Sequence, residues 1–352
     1  MKNNAILKIA ATYIGAIIGA GFASGQELVQ FFANYGSKGF AGILLAGAGF
    51  AILGALIVRI VVSEKTRGYE DFFKVLLGKK VGWLIQIWVT LTLFIGLSIM
   101  FAGCGSIFRE QFQIPYVLGV FISMLFVAIA LFNGENGLLN FNMYLVPVLT
   151  IIIFGISLYT IIKGFKAISI ANINPLIGTN WLKASILYVS YNIVTGSVVL
   201  SSLSYEKLGK KTLTYGCILG GCCLGFLGLV MVGSLMVDFT SLDELDIPMI
   251  FVAGEINNLS IYLYGAVLWL AMLTTAAANA FCLLRRITSV WNISNWFAGL
   301  LLIFSSFPVA MLGFQGLIAN FYPIFGYVGL VLIIAIVFHT VRNNILSLTS
   351  KW

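Results

Sequence analysis

The sequence predicts an all-α polytopic membrane protein: about ten transmembrane helices as a 5+5 inverted repeat, the first and sixth helices broken. Three observations predict this. First, 60% of the 352 residues are hydrophobic and only 9% are charged, with a mean hydropathy of +1.03. A soluble domain carries roughly 25% charged residues. So few charges could not cover a chain of this length in water, so the bilayer is its solvent. Second, the apolar residues fall into ten segments, each near the ~20 residues that cross a hydrocarbon core. Third, the first and sixth segments carry flexible and polar residues halfway along.

The first segment, 5–35, contains "IIGAGFASGQELVQFF" from Ile17 to Phe32, with Gly19, Gly21 and Gly25 beside Ser24, Gln26 and Glu27. An unpaired amide in hydrocarbon costs several kcal/mol, so a helix is interrupted only where protein or a water-lined cavity surrounds the break. The glycines predict unwinding over Gly19–Gly25. Ser24 is placed to cap a second half-helix, and Glu27 falls in its first turn, where a negative charge suits the dipole. Lys2, Lys8 and the small residues near Ala23 and Ser24 also fit a signal peptide. The apolar run continues past that point, however, and predicts a retained helix.

The second and third segments are 39–63 and 81–107. Pro115 opens the fourth, 115–133, and Pro147 sits inside the fifth, 137–163. The sixth, 181–203, repeats the first one's device: "YVSYNIVTGS" (Tyr188 to Ser197) puts Ser190, Asn192, Thr195 and Gly196 at mid-membrane. The seventh and eighth are 212–237 and 259–284. Pro308 lies near the end of the ninth, 293–312, and Pro323 opens the tenth, 319–341. Five spans per half is an odd number, so the second half enters from the opposite side, as in inverted-repeat transporters. The halves run over about 5–163 and 181–341 within a single transmembrane domain. "YEDFFKVLLG" (Tyr69 to Gly78) and "IPMIFVAGEI" (Ile247 to Ile256) are matching amphipathic stretches.

Charge sets the orientation. With the N-terminus inside, only Lys38, Arg109, Lys163, Lys166 and Lys183 of the 20 basic residues lie outside. That bias predicts both termini in the cytoplasm. The net charge of +8 is therefore an orientation signal and implies no nucleic-acid partner. Cys104, Cys217, Cys222, Cys223 and Cys282 all lie in apolar segments without ligand spacing and read as small apolar filler. The single histidine, His339, ends the last segment. No Ser/His pair, Asp dyad or metal cluster is legible, so the chain does not read as an enzyme.

In this layout the chain resembles the amino acid–polyamine–organocation superfamily, which has the LeuT-type 5+5 fold. "ATYIGAIIGAGFASGQELVQFF" is similar to the YkvI-like branch of bacterial membrane proteins. The resemblance implies a secondary active transporter in the cytoplasmic membrane of a bacterium, with no cofactor beyond sodium as the coupling ion. "GAIIGAG" (Gly15 to Gly21) resembles the unwound region of sodium symporters, which implies ion-binding carbonyls at Gly15 and Ile18. "LAMLTTAAAN" adds Ala271, Thr274 and Thr275, whose offsets of three and four share one helical face. Together they imply a five-oxygen cage for a hard cation.

The resemblance further implies a substrate carboxylate on the amides of Gly19, Ala20 and Gly21. Phe22 counts among the substrate-facing residues. It stands where some symporters have an amide for a second sodium, which argues against a second ion here. Ser190, Tyr191 and Asn192 would face the substrate's other end, and the third helix would add Thr90 or Thr92. The fifth span has its only lysine at its outer end, which favours sodium over a lysine-based proton mechanism. Glu27 is a functional candidate by default as an intramembrane carboxylate, in one of three roles: partner of a substrate amine, outer gate or proton carrier. Asn279 is a further candidate on the face of Thr275. Trp83, Trp88, Trp269 and Trp296 read as packing residues or interfacial anchors. The expected function is sodium-coupled symport of a small organic solute, an amino acid or related zwitterion. Proton coupling through Glu27 and an uncoupled ion channel or pore are the alternatives.

Overall fold

The computed structural model describes residues 2–66, 68–133, 136–164, 180–203, 209–237, 245–291 and 293–349. Arg67, Lys166, Lys207 and Lys351, four of the basic residues behind the expected orientation, lie outside them, as does the join between the two halves at 165–179. Among the described residues the structure is helical, without strands.

The chain opens with α1 (Lys2–Ile17), the short helices α2 (Ala20–Ser24) and α3 (Gln26–Phe31), and a 3₁₀ turn at Ala33–Tyr35. Then follow α4 (Ser37–Glu64), α5 (Tyr69–Phe112), α6 (Tyr116–Asn133) and α7 (Asn136–Gly164). The second half runs α8 (Trp181–Ser201), α9 (Lys210–Leu235), α10 (Pro248–Gly254), α11 (Asn258–Trp291), α12 (Asn295–Ala310) and α13 (Phe314–Thr349). Among the described residues seven stretches are long and apolar enough to cross a membrane, and three shorter apolar ones, 5–17, 116–131 and 295–310, are consistent with the expected count of about ten. Leucine, isoleucine and phenylalanine side chains such as Ile52, Leu125, Ile151 and Phe338 point outward in the exposed positions that lipid would cover. The chain is a multi-pass membrane protein.

α5 is two helices. Gly78 interrupts it at φ 74° and ψ 172°, in the positive-φ region that favours glycine. The predicted amphipathic stretch Tyr69–Gly78 is thus a separate helix ahead of the third span. Its predicted counterpart is α10, which Pro248 opens at a position where a missing N–H costs nothing.

Helices α1, α4, α8 and α9 pack on one another as one group, and α5, α6, α11 and α12 as another. α4 and α9 make the most extensive contact, through glycines. Gly47 faces Gly225, and Gly221 lies against the backbone of Phe50 and Ala51. Without a hydrophobic drive between helices in lipid, such close backbone approach supplies the association.

The first span is broken, as expected, but in a different form. A single unwound stretch over Gly19–Gly25 was the expectation, and the structure has two short breaks. One is at Ile18 and Gly19, the latter extended at φ −94° and ψ −179°. The other is at Gly25, left-handed at φ 83° and ψ −11°. One helical turn survives between them because it keeps local bonds: the Ala23 N–H donates to the Gly19 carbonyl at 3.0 Å and the Gly25 N–H to the Phe22 carbonyl at 3.0 Å. The cap of α3 is Gly25, not Ser24. The Ser24 hydroxyl accepts from the Gln26 N–H at 3.2 Å and donates to the Gly21 carbonyl at 2.8 Å, so it bridges the second break from one side.

The sixth span is not broken. α8 is continuous from Trp181 to Ser201. Its polar residues, read as a break signal, are satisfied within the helix. The Ser190 hydroxyl donates to the Ile186 carbonyl (2.6 Å), the Asn192 amide to Tyr188 (3.1 Å) and the Thr195 hydroxyl to Asn192 (2.8 Å). Back-bonding of this kind lets a polar residue sit in a membrane helix without opening it. Gly196 is the only glycine in α8, against the two, Gly19 and Gly25, at which the first span is interrupted.

Candidate functional site

The break at Ile18–Gly19 opens onto a cavity of about 250 Å³. Seven helices meet there, three of them pieces of the first span. α1 and α2 bring Ala16, Ile17, Gly19 and Ala20, and α3 brings Glu27. α5 presents Trp88, Thr92, Leu93, Gly96 and Met100, a face of near-fourfold spacing. α8 contributes Tyr191, Asn192, Val194 and Thr195. α11 contributes Thr275 and Asn279, and α13 Tyr322 and Phe325.

Glu27 is the cavity's one charged residue and is 4% exposed. Its carboxylate accepts hydrogen bonds from the hydroxyls of Tyr191 and Tyr322. Its Oε1 lies over Gly21, so a side chain at that position would overlap it. Gly21 is needed for this reason, and not for backbone freedom. Among the described residues no lysine or arginine pairs with Glu27. Rings continue on both sides of the carboxylate. Tyr191 meets Tyr322 at 4.7 Å and Phe31 at 5.7 Å between centroids, and Phe325 meets Tyr322 at 6.0 Å and Trp88 at 5.7 Å.

The second break, at Gly25, is held by α11. The Tyr264 hydroxyl, fully buried, donates to the Ala23 carbonyl, one of the acceptors that the end of α2 leaves unpaired. On the same helix three candidate ion ligands come together: the hydroxyls of Thr274 and Thr275 both donate to the Ala271 carbonyl, at 3.0 and 2.8 Å. Thr275 also lines the cavity into which the broken end of α1 projects. Gly15 and Ile18, the carbonyl partners implied on the first helix, stand in the last turn of α1 and in the break itself.

Several expected residues lie elsewhere. Ser190 is fully buried against the backbone of Gly329 in α13. Phe22 points away toward Gly228 of α9, 1% exposed. Thr90 is not on the cavity face and Thr92 is, because the face of α5 repeats through 88, 92, 96 and 100. Gly15, Ile18, Ala271, Thr274 and Gly21 do not line the cavity, while Gly19, Ala20, Tyr191, Asn192 and Glu27 do. Trp88, read as packing, forms a wall. Tyr322 and Phe325 were missed; their signal was one helical turn of aromatic residues just after Asn320 in the tenth span.

A second polar node lies at the other end of α5. Asp246, just before α10, joins three elements. Its Oδ2 accepts from the Arg109 guanidinium at 2.7 Å and from the Ser106 hydroxyl at 2.6 Å, and its Oδ1 from the Gln315 N–H of α13 at 3.3 Å. Its own N–H donates to Glu110 Oε1 at 2.8 Å. The cavity draws on the middle of the third span, 88–100, and this node on its last turns. His339, the lone histidine, lies 3.5 Å from Glu64 at the end of α4, far along the chain from either site.

A membrane-embedded helical fold whose first span breaks over a central cavity is the LeuT-type class. The comparisons agree. The chain is similar to the membrane protein YkvI of Bacillus subtilis (strain 168), 26% identical over 335 residues that cover 93% of each chain. It is 28% identical to the protein YyaD of the same organism over 334 residues, 94% of this chain and 96% of that one. No family model matches. Among solved structures, MhsT in complex with L-phenylalanine superposes with a TM-score of 0.64 at 15% identity, over 92% of this chain and 86% of that one. Mhp1 in its inward facing conformation has the same score and identity, over 92% and 73%. A manganese transporter of Eremococcus coleocola reaches 0.56 at 14% identity, over 94% and 78%. The chain has the LeuT-type fold.

Proposed function

We propose that the protein is a secondary active transporter that moves a small organic solute across a bacterial cytoplasmic membrane by alternating access, with sodium as the coupling ion. The observation that carries this is the cavity at the broken first helix, walled by α5, α8, α11 and α13. In LeuT-type folds substrate sites lie at such discontinuous helices near the bilayer midplane. One of the solved structures of like fold is a manganese transporter, which supports the class. The group α1, α4, α8 and α9 would rock against α5, α6, α11 and α12, with α10 and the Tyr69–Leu77 helix as coupling elements. With both termini inside, the Asp246 node would close the outer side and the cavity would lie near mid-membrane. The halves 5–163 and 181–341 then form one transport domain built as an inverted repeat.

Sodium is supported by the cluster of the Thr274, Thr275 and Ala271 oxygens beside the break, hard donors that suit a hard cation. The Gly15 and Ile18 carbonyls would complete the site when α1 closes on α11. At ten times its dissociation constant sodium adds about 1.4 kcal/mol of stability. The melting temperature should then rise by roughly 2 °C over the value in potassium, since a chain of 352 residues with about 2.1 cal/mol/K of unfolding entropy per residue shifts by roughly 1.4 °C per kcal/mol. Thr275→Ala should abolish that rise and leave the potassium value within about 1 °C. An unchanged sodium response in the variant would refute the ion site. Saturable uptake into vesicles that concentrates solute only with an inward sodium gradient separates a symporter from a pore.

A second reading is favoured by Glu27. A carboxylate in the cavity wall, held by two tyrosine hydroxyls, can carry a proton between the two sides. Uptake driven by a pH gradient in sodium-free vesicles, and lost in Glu27→Gln, would support it over sodium.

A further inference from the structure

The wall chemistry of the cavity discriminates among solutes, and this inference rests on reading the cavity as the substrate site. Its one formal charge is negative. The two partners of Glu27, Tyr191 and Tyr322, are neutral donors, so they stabilise the carboxylate without cancelling its charge. A carboxylate has about four lone-pair sites, and two hydroxyls leave room for another donor. The rings of Trp88, Tyr191, Tyr322 and Phe325 line the same space, and π faces attract cations and repel anions.

A second carboxylate fits this wall poorly. Glu27 Oε1 lies over Gly21, beside the α2 amides on which a substrate carboxylate would have to dock. Two carboxylates that close together repel strongly where water is scarce. One of the two N–H donors of the Asn192 amide is taken by the Tyr188 carbonyl, which leaves a single neutral donor there. A second ammonium has no second acid to meet, since no other acidic residue lines the cavity. The space, about 250 Å³, is below the usual range for drug-sized ligands.

We propose that the solute is a small monoamine without a carboxylate, of the alkylamine or arylalkylamine class. Its ammonium binds Glu27 between the rings of Tyr191 and Tyr322, and its apolar part lies along Trp88, Leu93, Met100 and Phe325.

The test is calorimetric titration and thermal unfolding of the purified full-length protein, in sodium, with paired probes. Phenethylamine and isoamylamine are set against phenylalanine and leucine, which differ from them by the carboxylate, with putrescine and manganese chloride as further arms. The expected result is that the two monoamines bind at least tenfold tighter than the paired amino acids and than putrescine. Glu27→Gln should weaken monoamine binding at least tenfold. Glu27→Asp, which keeps the charge but withdraws it by one methylene, should weaken it less, and it serves if the Gln variant does not fold. Tighter binding of the amino acids, of putrescine or of manganese alone would overturn the monoamine proposal, and so would binding of no probe. Gly96→Leu, which fills the cavity beside Asn279, tests the underlying reading separately. If it removes binding of whichever probe binds, the cavity is the substrate site even where the monoamine proposal falls. If binding survives it, the cavity reading fails as well.

Discussion

Gly225→Leu is expected to leave no folded protein to purify. A Cβ at Gly225 would lie 2.8 Å from the Cα of Gly47, and one at Gly47 would lie 2.6 Å from the Cα of Gly225. The obstacle in each case is backbone, which cannot rotate away as a side chain can. The two helices would have to part along their whole contact, and Gly221 one turn earlier is held just as closely against Phe50 and Ala51. In lipid nothing recovers the lost van der Waals contact, because the tails are as apolar as the leucine. Overpacking against fixed backbone belongs among the rare severe substitutions, roughly 4 kcal/mol or more. The control is Gly155→Leu in α7, where a Cβ meets nothing within 4 Å. It should purify with wild-type yield and a melting temperature within about 2 °C. Monodisperse Gly225→Leu protein with a wild-type melting temperature would show that α4 and α9 are not in close contact.

Asp246→Ala is expected to release the closed end of the molecule. The side chain is the acceptor for Arg109, Ser106 and the Gln315 N–H, and its removal leaves three donors on two helices with no common partner. The Arg109 side chain is half exposed, so water meets part of its demand; the Asp246 side chain is 10% exposed. Hydrogen bonds to a charged group contribute about 1.5–3 kcal/mol each when well buried. A net bias of about 2–3 kcal/mol toward opening follows, which is a factor of roughly 30 to 150 in the equilibrium between states. Hydrogen–deuterium exchange over 247–254 reads it directly, because α10 loses its tether. Protection there should fall at least tenfold while that of α4 and α9 is unchanged. If α10 keeps its protection, the node is not a latch.

Part of the site was legible because it is local. Gly19, Gly25, Ser24 and Glu27 lie within nine residues, and a charge beside glycines inside an apolar run has few structural explanations in a bilayer. That Thr274 and Thr275 share a face with Ala271 was legible for the same reason: one turn of helix brings both hydroxyls onto the Ala271 carbonyl. The sixth span shows the limit of that kind of evidence. Serine, asparagine and threonine signal a break only if their side chains find no partner within the helix, and here each bonds back one turn. Helix phase decided the third span. Thr90 and Thr92 are equivalent in composition, but 200° of rotation separates them, and only the neighbours of α5 say which face is inside. Tyr322 and Phe325 showed only as a turn of aromatic residues and the Asp246 node not at all, since the partners that give them a role lie from 69 to nearly 300 residues away.

By itself the sequence determined the solvent, the number of apolar segments, the interruption of the first and the polar stretch of the eighth. Each follows from residues close together in the chain, through hydrophobic length, backbone freedom and the cost of a polar group in lipid. The tertiary structure alone decided which helix stays whole, which face of each helix meets the cavity, and that Glu27 is held by tyrosines from two other helices. Those outcomes depend on helix rotation and on partners distant in sequence, and only packing sets both.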